Sequence, residues 1–195
     1  MRTTKGLFVT VSILLSALAA ACGGGGGAAG PGAANASTTA GGGDPSLPKA
    51  ATKPESDKVT WKKDASPKSC HTGGKTGDTA SITAMTNACV DKKMHLVGQP
   101  NMGEGSRDKM VTTLPLKAEA NHCYRVVGIA DASVTDFDIA VMDSAGKLIG
   151  EDLLDTNDAV VLEDGVFCFK ADDAVSVNVA VASGAGKWAV SIFAD

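Results

Sequence analysis

Beyond Lys109 the chain changes its hydrophobic period, and that change limits the fold more than any other feature. In "FDIAVMD", Phe137, Ile139 and Val141 fall on one face and Asp138 and Ala140 on the other. This is the period of a strand with two different faces. "DSAG" follows, with Gly146 suited to positive φ, and "KLIGEDL" returns, so these segments read as a hairpin. Upstream, "HCYRVVGIAD" is a fuller strand, and "KMVTTLPLKA" is strand-like but broken at Pro115, which suits an edge. Downstream, "AVVLEDGVFCFKA" reads as two strands around Glu163-Asp164-Gly165. "AVSVNVAVAS", "GAG" and "KWAVSIFAD" read as a last hairpin. About eight short strands joined by turn residues predict a mainly β fold, an antiparallel β-sandwich over residues 109–195.

Residues 59–108 carry a different signal. Residues 59–77 read as irregular, with Pro67 and three glycines. In "DTASITAMTNACVDKKM", Asp78 or Thr79 can cap a helix, and Ile82, Met85 and Ala88 or Cys89 recur at helical spacing. A helix is expected over roughly 80–93. "VGQPNMGEGSRD" reads as loop, which makes 59–108 an irregular and helical extension before the sandwich.

The first 58 residues lack the means to build a core. "MRTTKGLFVTVSILLSALAAAC" opens with Arg2 and Lys5, continues through an apolar stretch from Leu7 to Leu18, and ends in small residues before Cys22. That is the layout of a secretory signal peptide over residues 1–21, and the stretch is shorter than the roughly 20 apolar residues of a membrane span. Residues 23–58 hold one large apolar side chain, Leu47, among glycine, alanine, serine and proline. Such a segment cannot bury enough surface to offset the entropy of ordering. Residues 22–58 are therefore expected to be a disordered tether, and its 36 residues after Cys22 give a typical reach of about 30–35 Å.

"LAAAC", residues 18–22, resembles the lipobox of bacterial lipoproteins. The resemblance implies cleavage before Cys22 and attachment of a diacylglycerol thioether to its sulfur. Ala19 stands where leucine is usual, with Leu18 one position further back. Two or three acyl chains would hold the protein firmly on a membrane, where one gives only marginal binding. Gly23, in place of aspartate, resembles the outer-membrane sorting signal of proteobacteria.

With Cys22 set aside, Cys70, Cys89, Cys123 and Cys168 remain. Export places them in an oxidising compartment. Of the three pairings that four cysteines allow, Cys70–Cys89 and Cys123–Cys168 keep each bond within one region. The second is expected to cross the sandwich.

"SCHTGGKTGD", residues 69–78, suggests several chemistries and completes none. Covalent haem attachment needs a cysteine at position 67, which is Pro67. A phosphate loop needs glycine at position 69, which is Ser69, and an apolar strand leading in. Zinc would need Cys70, His71, Cys89 and His95 to converge, and a Cys70–Cys89 bond would remove two of those ligands. The stretch is read as an exposed turn fixed to the following helix by a disulfide. Calcium is the remaining metal, with Asp152, Asp155 and Asp158 the best candidates, although "DTNDAVVLED" lacks the glycine of an EF-hand loop. No cofactor is expected.

"LPLKAEANHCYRVVGIADASVTDFDIAVMDSAGKLIGED" resembles the small β-sandwich of bacterial pre-peptidase C-terminal domains and their jelly-roll relatives. Gly184 and Gly186 before "KWAVSI" resemble their final hairpin. The resemblance implies a jelly-roll-like accessory module over 109–195, and the cysteines depart from it. There is no Gly-x-Ser-x-Gly elbow and no His-Glu-x-x-His, and the histidines are His71, His95 and His122. The formal charge of −4 includes Arg2 and Lys5, so the processed chain is near −6, which disfavours nucleic acid and anionic lipid as partners. These readings converge on a lipid-anchored, non-catalytic binding or structural module of the bacterial cell envelope, in the outer membrane, meeting an envelope protein or glycan. Alternatives are an accessory subunit or inhibitor of a separately encoded envelope enzyme, and a hydrolase with an unrecognised site.

Overall fold

In the computed structural model, the described residues are 55–63, 70–71, 76–109, 111–152 and 154–195. The expected signal peptide, Cys22 and nearly all of the expected tether lie outside them. The described residues fall in one compact unit, and their strands form an antiparallel β-sandwich.

The turns form where the residues favour them. β6 (Val134–Met142) and β7 (Leu148–Glu151) meet at the "DSAG" hairpin, where Gly146 has φ 75°. Asp143 Oδ1 accepts from Ala145 N and Lys147 N at 2.8 and 2.9 Å, tying the turn to the strand that enters it. Asp78 caps α1 (Thr79–Cys89), accepting from Ser81 N at 2.8 Å. The helix stops at Cys89, four residues short of the expected end. Asp91 causes this by starting a turn of its own, taking Lys93 N on its carboxylate and Met94 N on its carbonyl.

Sheet A begins with β1 (Val59–Lys63), which pairs with β9 (Gly165–Phe169). β9 and β8 (Asp158–Val160) share one edge of β5 (Cys123–Ala130). The other edge of β5 meets the second half of β10 (Asp173–Ala194), which also pairs with β2 (His95–Leu96) and β3 (Asn101–Ser106). Sheet B is β4 (Thr112–Ala118), the first half of β10, β6 and β7. Pro115 lies in an edge strand, as expected. β1 and β3, assigned from sequence to the extension, are strands of sheet A. Their glycines and lysines hid that role.

The last hairpin expected from sequence is a single 22-residue strand. Its halves serve different sheets, and the change occurs where register shifts surround Ser183 and Gly184 takes φ 89°. The Gly-Ala-Gly signal was genuine, but it bends the strand instead of reversing it.

Between the sheets lie Phe137, Ile139 and Val141 of β6, as the alternation predicts. They meet Tyr124 and Val126 of β5, Phe167 and Phe169 of β9, and Trp188, Val190 and Ile192 of β10. A Cβ on Gly103 would sit 2.1 Å from the Trp188 ring, so β3 can approach the indole only with glycine there. α1 covers the other face of sheet A, where Ile82, Met85 and Cys89 pack on Val127, Ile129 and Phe193.

Cys123 and Cys168 are bonded, but they are opposite residues of β5 and β9. The bond joins neighbouring strands of one sheet; it does not cross the sandwich. Cys70 and Cys89 are both buried and are not joined, so the second expected bond is not made in the structure.

Replacing both Cys123 and Cys168 by Ala should lower stability by about 4 kcal/mol on the chain-entropy account for a sequence separation of 45. Urea unfolding monitored by tryptophan fluorescence measures this. A Cβ on Gly184 would meet Ser133 O at 2.1 Å, at a φ that L-residues disfavour. Gly184→Ala should therefore cost at least about 2 kcal/mol in the same assay.

Candidate functional site

"CH", residues 70 and 71, rests on the outer face of sheet A beside α1. The fold draws its partners from distant parts of the chain. Arg125, 2% exposed, points from β5 toward α1. Its guanidinium donates to Gly165 O at 2.8 Å, Glu163 O at 3.1 Å and Cys89 O at 3.4 Å. It also reaches Cys70 Sγ at 3.8 Å. A buried guanidinium needs such acceptors, and here they join the β8–β9 turn to the end of the helix.

His71 bridges two acids. Nδ1 lies 3.1 Å from Asp158 Oδ1, and Nε2 lies 3.3 Å from Glu163 Oε1 as an ion-pair contact outside hydrogen-bond geometry. Burial works against the imidazolium, but the Asp158 hydrogen bond and the charges of Asp158, Glu163 and Asp152 outweigh it and raise the pKa. Cys70 moves the other way, to about 7: the Cys89 thiol donates to it, and Arg125 and His71 favour the thiolate against burial. With both imidazole nitrogens facing carboxylates, His71 is placed as a clamp and not as a base for Cys70.

Gly77 of the motif is also strapped down. Gly77 N donates to Asp131 Oδ1 at 2.8 Å, and Lys187 N to Asp131 Oδ2 at 2.8 Å. A Cβ on Gly77 would overlap Lys187 O. Ser69 and residues 72–75 lie outside the described residues.

The calcium candidates do not form a ligand set. Asp152 and Asp158 are buried and Asp155 is exposed. Among the described residues, no group of three His, Cys, Asp or Glu side chains is placed to hold a metal ion. Asp152 and residues 154–158 instead belong to a crossover that closes one side of the sandwich. Asn157 O accepts from Ala130 N on sheet A and Thr156 O from Phe137 N on sheet B, at 2.7 and 2.9 Å. Within this crossover Asp152 Oδ1 accepts from Val160 N at 3.2 Å, while Oδ2 is buried without a hydrogen-bond partner. Burial, reinforced by the Asp138 charge, raises the Asp152 pKa to about 7 against the pull of backbone donors and His71. Of the aspartates the sequence singled out, Asp152 is buried in the crossover and Asp158 is the partner of His71. His95 is exposed in β2, and His122 contacts the C-terminal Asp195.

A second feature lies along β4. Thr113, Pro115, Lys117, Ser144 and Ser176 line an open groove of about 940 Å³. Residues 56–58 run to its rim: Ser56 Oγ donates to Asp143 Oδ2 at 2.6 Å, and Lys58 Nζ to Asp173 Oδ1 at 3.0 Å. No family model and no curated protein sequence matches this chain.

A carboxyl raised by burial carries no penalty while it is protonated in both states. Above its unfolded value the native state holds a proton that the unfolded chain releases, so stability falls as pH rises from about 4 to about 7. Asp152→Asn should remove this loss. It should be close to neutral at pH 4 and stabilising at pH 8 by about 2–4 kcal/mol, as measured by urea unfolding at both pH values.

Proposed function

We propose that this chain is a lipid-anchored lipoprotein of a bacterial cell envelope whose β-sandwich serves as a non-catalytic binding or structural module. The observation that carries the reading is how the end of the tether enters the fold. Residues 55–63 are laced into both sheets. Glu55 N and Ser56 N donate to Leu148 O on the sheet B hairpin. Ser56 and Lys58 hold Asp143 and Asp173, and β1 then zips along β9 in sheet A. An attachment shared between two sheets suits a domain held by its N-terminal side, because a pull on the tether is distributed over both layers.

The sequence supplies the other end of the tether. A positive n-region, an apolar core of signal length and small residues run into Cys22, and a glycine-rich spacer follows. The commitment of His71 and Arg125 to carboxylates and carbonyls supports a module without catalysis. The groove along β4, lined by Thr113, Pro115, Lys117 and Ser176, is the face offered to an envelope protein or glycan.

Intact-mass and N-terminal peptide mass spectrometry of the protein from a bacterial host tests this. The mature chain should begin at Cys22 carrying a diacylglyceryl thioether. Cys22→Ser should abolish the modification and move the protein out of the membrane fraction with its melting temperature unchanged. An unmodified Cys22, or a start at another residue, would sink the reading.

A further inference from the structure

Two cysteine pairs share the outer face of sheet A, and their surroundings differ. Cys123 and Cys168 are bonded opposite each other on β5 and β9. Two residues along β5, Arg125 places its guanidinium 3.8 Å from Cys70 Sγ and holds the Cys89 carbonyl. Cys70 and Cys89 are hydrogen-bonding neighbours, both buried, and His71 adds a second cation held by Asp158 and Glu163. The charge is therefore arranged to suit a thiolate at Cys70.

We propose that Cys70 and Cys89 form a reversible dithiol site for thiol–disulfide exchange, with Cys123–Cys168 as the permanent bond. The oxidant is a disulfide, small or protein-borne. The Cys70 thiolate attacks one of its sulfurs, a mixed disulfide forms, and the first thiolate leaves and takes up a proton. Cys89 then loses its proton and attacks the Cys70 sulfur, expelling the second thiolate. Two protein thiols and one external disulfide become one protein disulfide and two external thiols. Reduction by a dithiol reverses each step.

A cation beside one sulfur stabilises the reduced form over the oxidised form, and a pair so placed is easier to reduce. Both pairs have one, since Lys62 Nζ lies 3.4 Å from Cys123 Sγ, but Lys62 is exposed and its charge is screened by solvent, whereas Arg125 is buried and His71 adds a second cation. Burial makes the exchange wait for an opening of the 70–71 segment or α1, which sets its rate and not its equilibrium. The oxidised state pins α1 to the residues before it. The reduced state leaves that task to Arg125, His71 and the apolar contacts of Ile82 and Met85.

The full chain carrying Cys22→Ser, so that four cysteines report, is equilibrated across mixtures of reduced and oxidised glutathione extending to dithiothreitol. It is then quenched in acid, alkylated and mapped by mass spectrometry. The Cys70–Cys89 pair is expected to be at least tenfold easier to reduce than Cys123–Cys168, a separation of about 30 mV or more. Arg125→Met should make it about tenfold harder to reduce. His71→Gln, which leaves the buried guanidinium in place, should shift it the same way by a smaller factor and serves if the Arg125 variant fails to fold. Reduction of both pairs at one poise, greater resistance of Cys70–Cys89, or midpoints unmoved by the folded variants would overturn the proposal.

Discussion

The structure depends on a single strand bonded to both sheets. β10 pairs with β4 and β6 in its first half and with β2, β3 and β5 in its second. Covalent continuity through Gly184 therefore fixes the position of one sheet over the other, a task that side-chain packing performs alone in sandwiches without a shared strand. Val175, Val177, Val179 and Val181 face the core from one half, and Trp188, Val190 and Ile192 from the other. Keeping both rows inward across the bend requires the register shifts around Ser183, because a one-residue slip would turn every later side chain to the wrong face.

The sequence was legible where the cause is local. Alternation in β6, the Gly146 turn, the Asp78 cap and the edge placement of Pro115 each follow from a few adjacent residues. What was not legible depends on partners far along the chain. "GAG" has the composition of a hairpin turn, and whether the chain reverses or bends there is settled by β3 and β4, which pair with opposite halves of β10. The glycines of β3 looked like loop because nothing local announces the Trp188 ring they must pass. His71 and Asp158 are 87 residues apart, and Arg125 and Gly165 are 40 apart. No spacing rule brings such pairs together. The aspartates of the crossover were visible as an acidic run, but their burial, which decides their chemistry, was not.

The polar groups enclosed beside α1 explain why a helix with one narrow apolar face is held in a single place. Ile82, Met85 and Cys89 could slide on Val127 and Ile129 at little cost, since such contacts are not directional. Arg125 removes that freedom. Displacing the helix would strip an acceptor from a buried guanidinium, and a buried charge left short of partners is costly. His71 is held in the same way, by Asp158 and Glu163.

Two sets of groups respond to pH in opposite senses. Asp131 accepts from Gly77 N and Lys187 N, which lower its pKa. Asp143 and Asp173 are also lowered, where Ser56, Lys58 and Ser144 overcome the effect of burial. These three stabilise above the unfolded carboxylate value and lose that contribution in acid. Asp152 and His71 run the other way. Both have raised pKa values, and what they contribute is present in acid and lost as pH rises through their folded values. The Asp143–Ser144 turn, held by Ser56 and Lys58, is thus secured at neutral pH, while the crossover at Asp152 gains from acid. The Asp152 share of that loss falls between about pH 4 and about 7, on the side of the fold where His71 meets Asp158 and where Cys70 and Cys89 are enclosed.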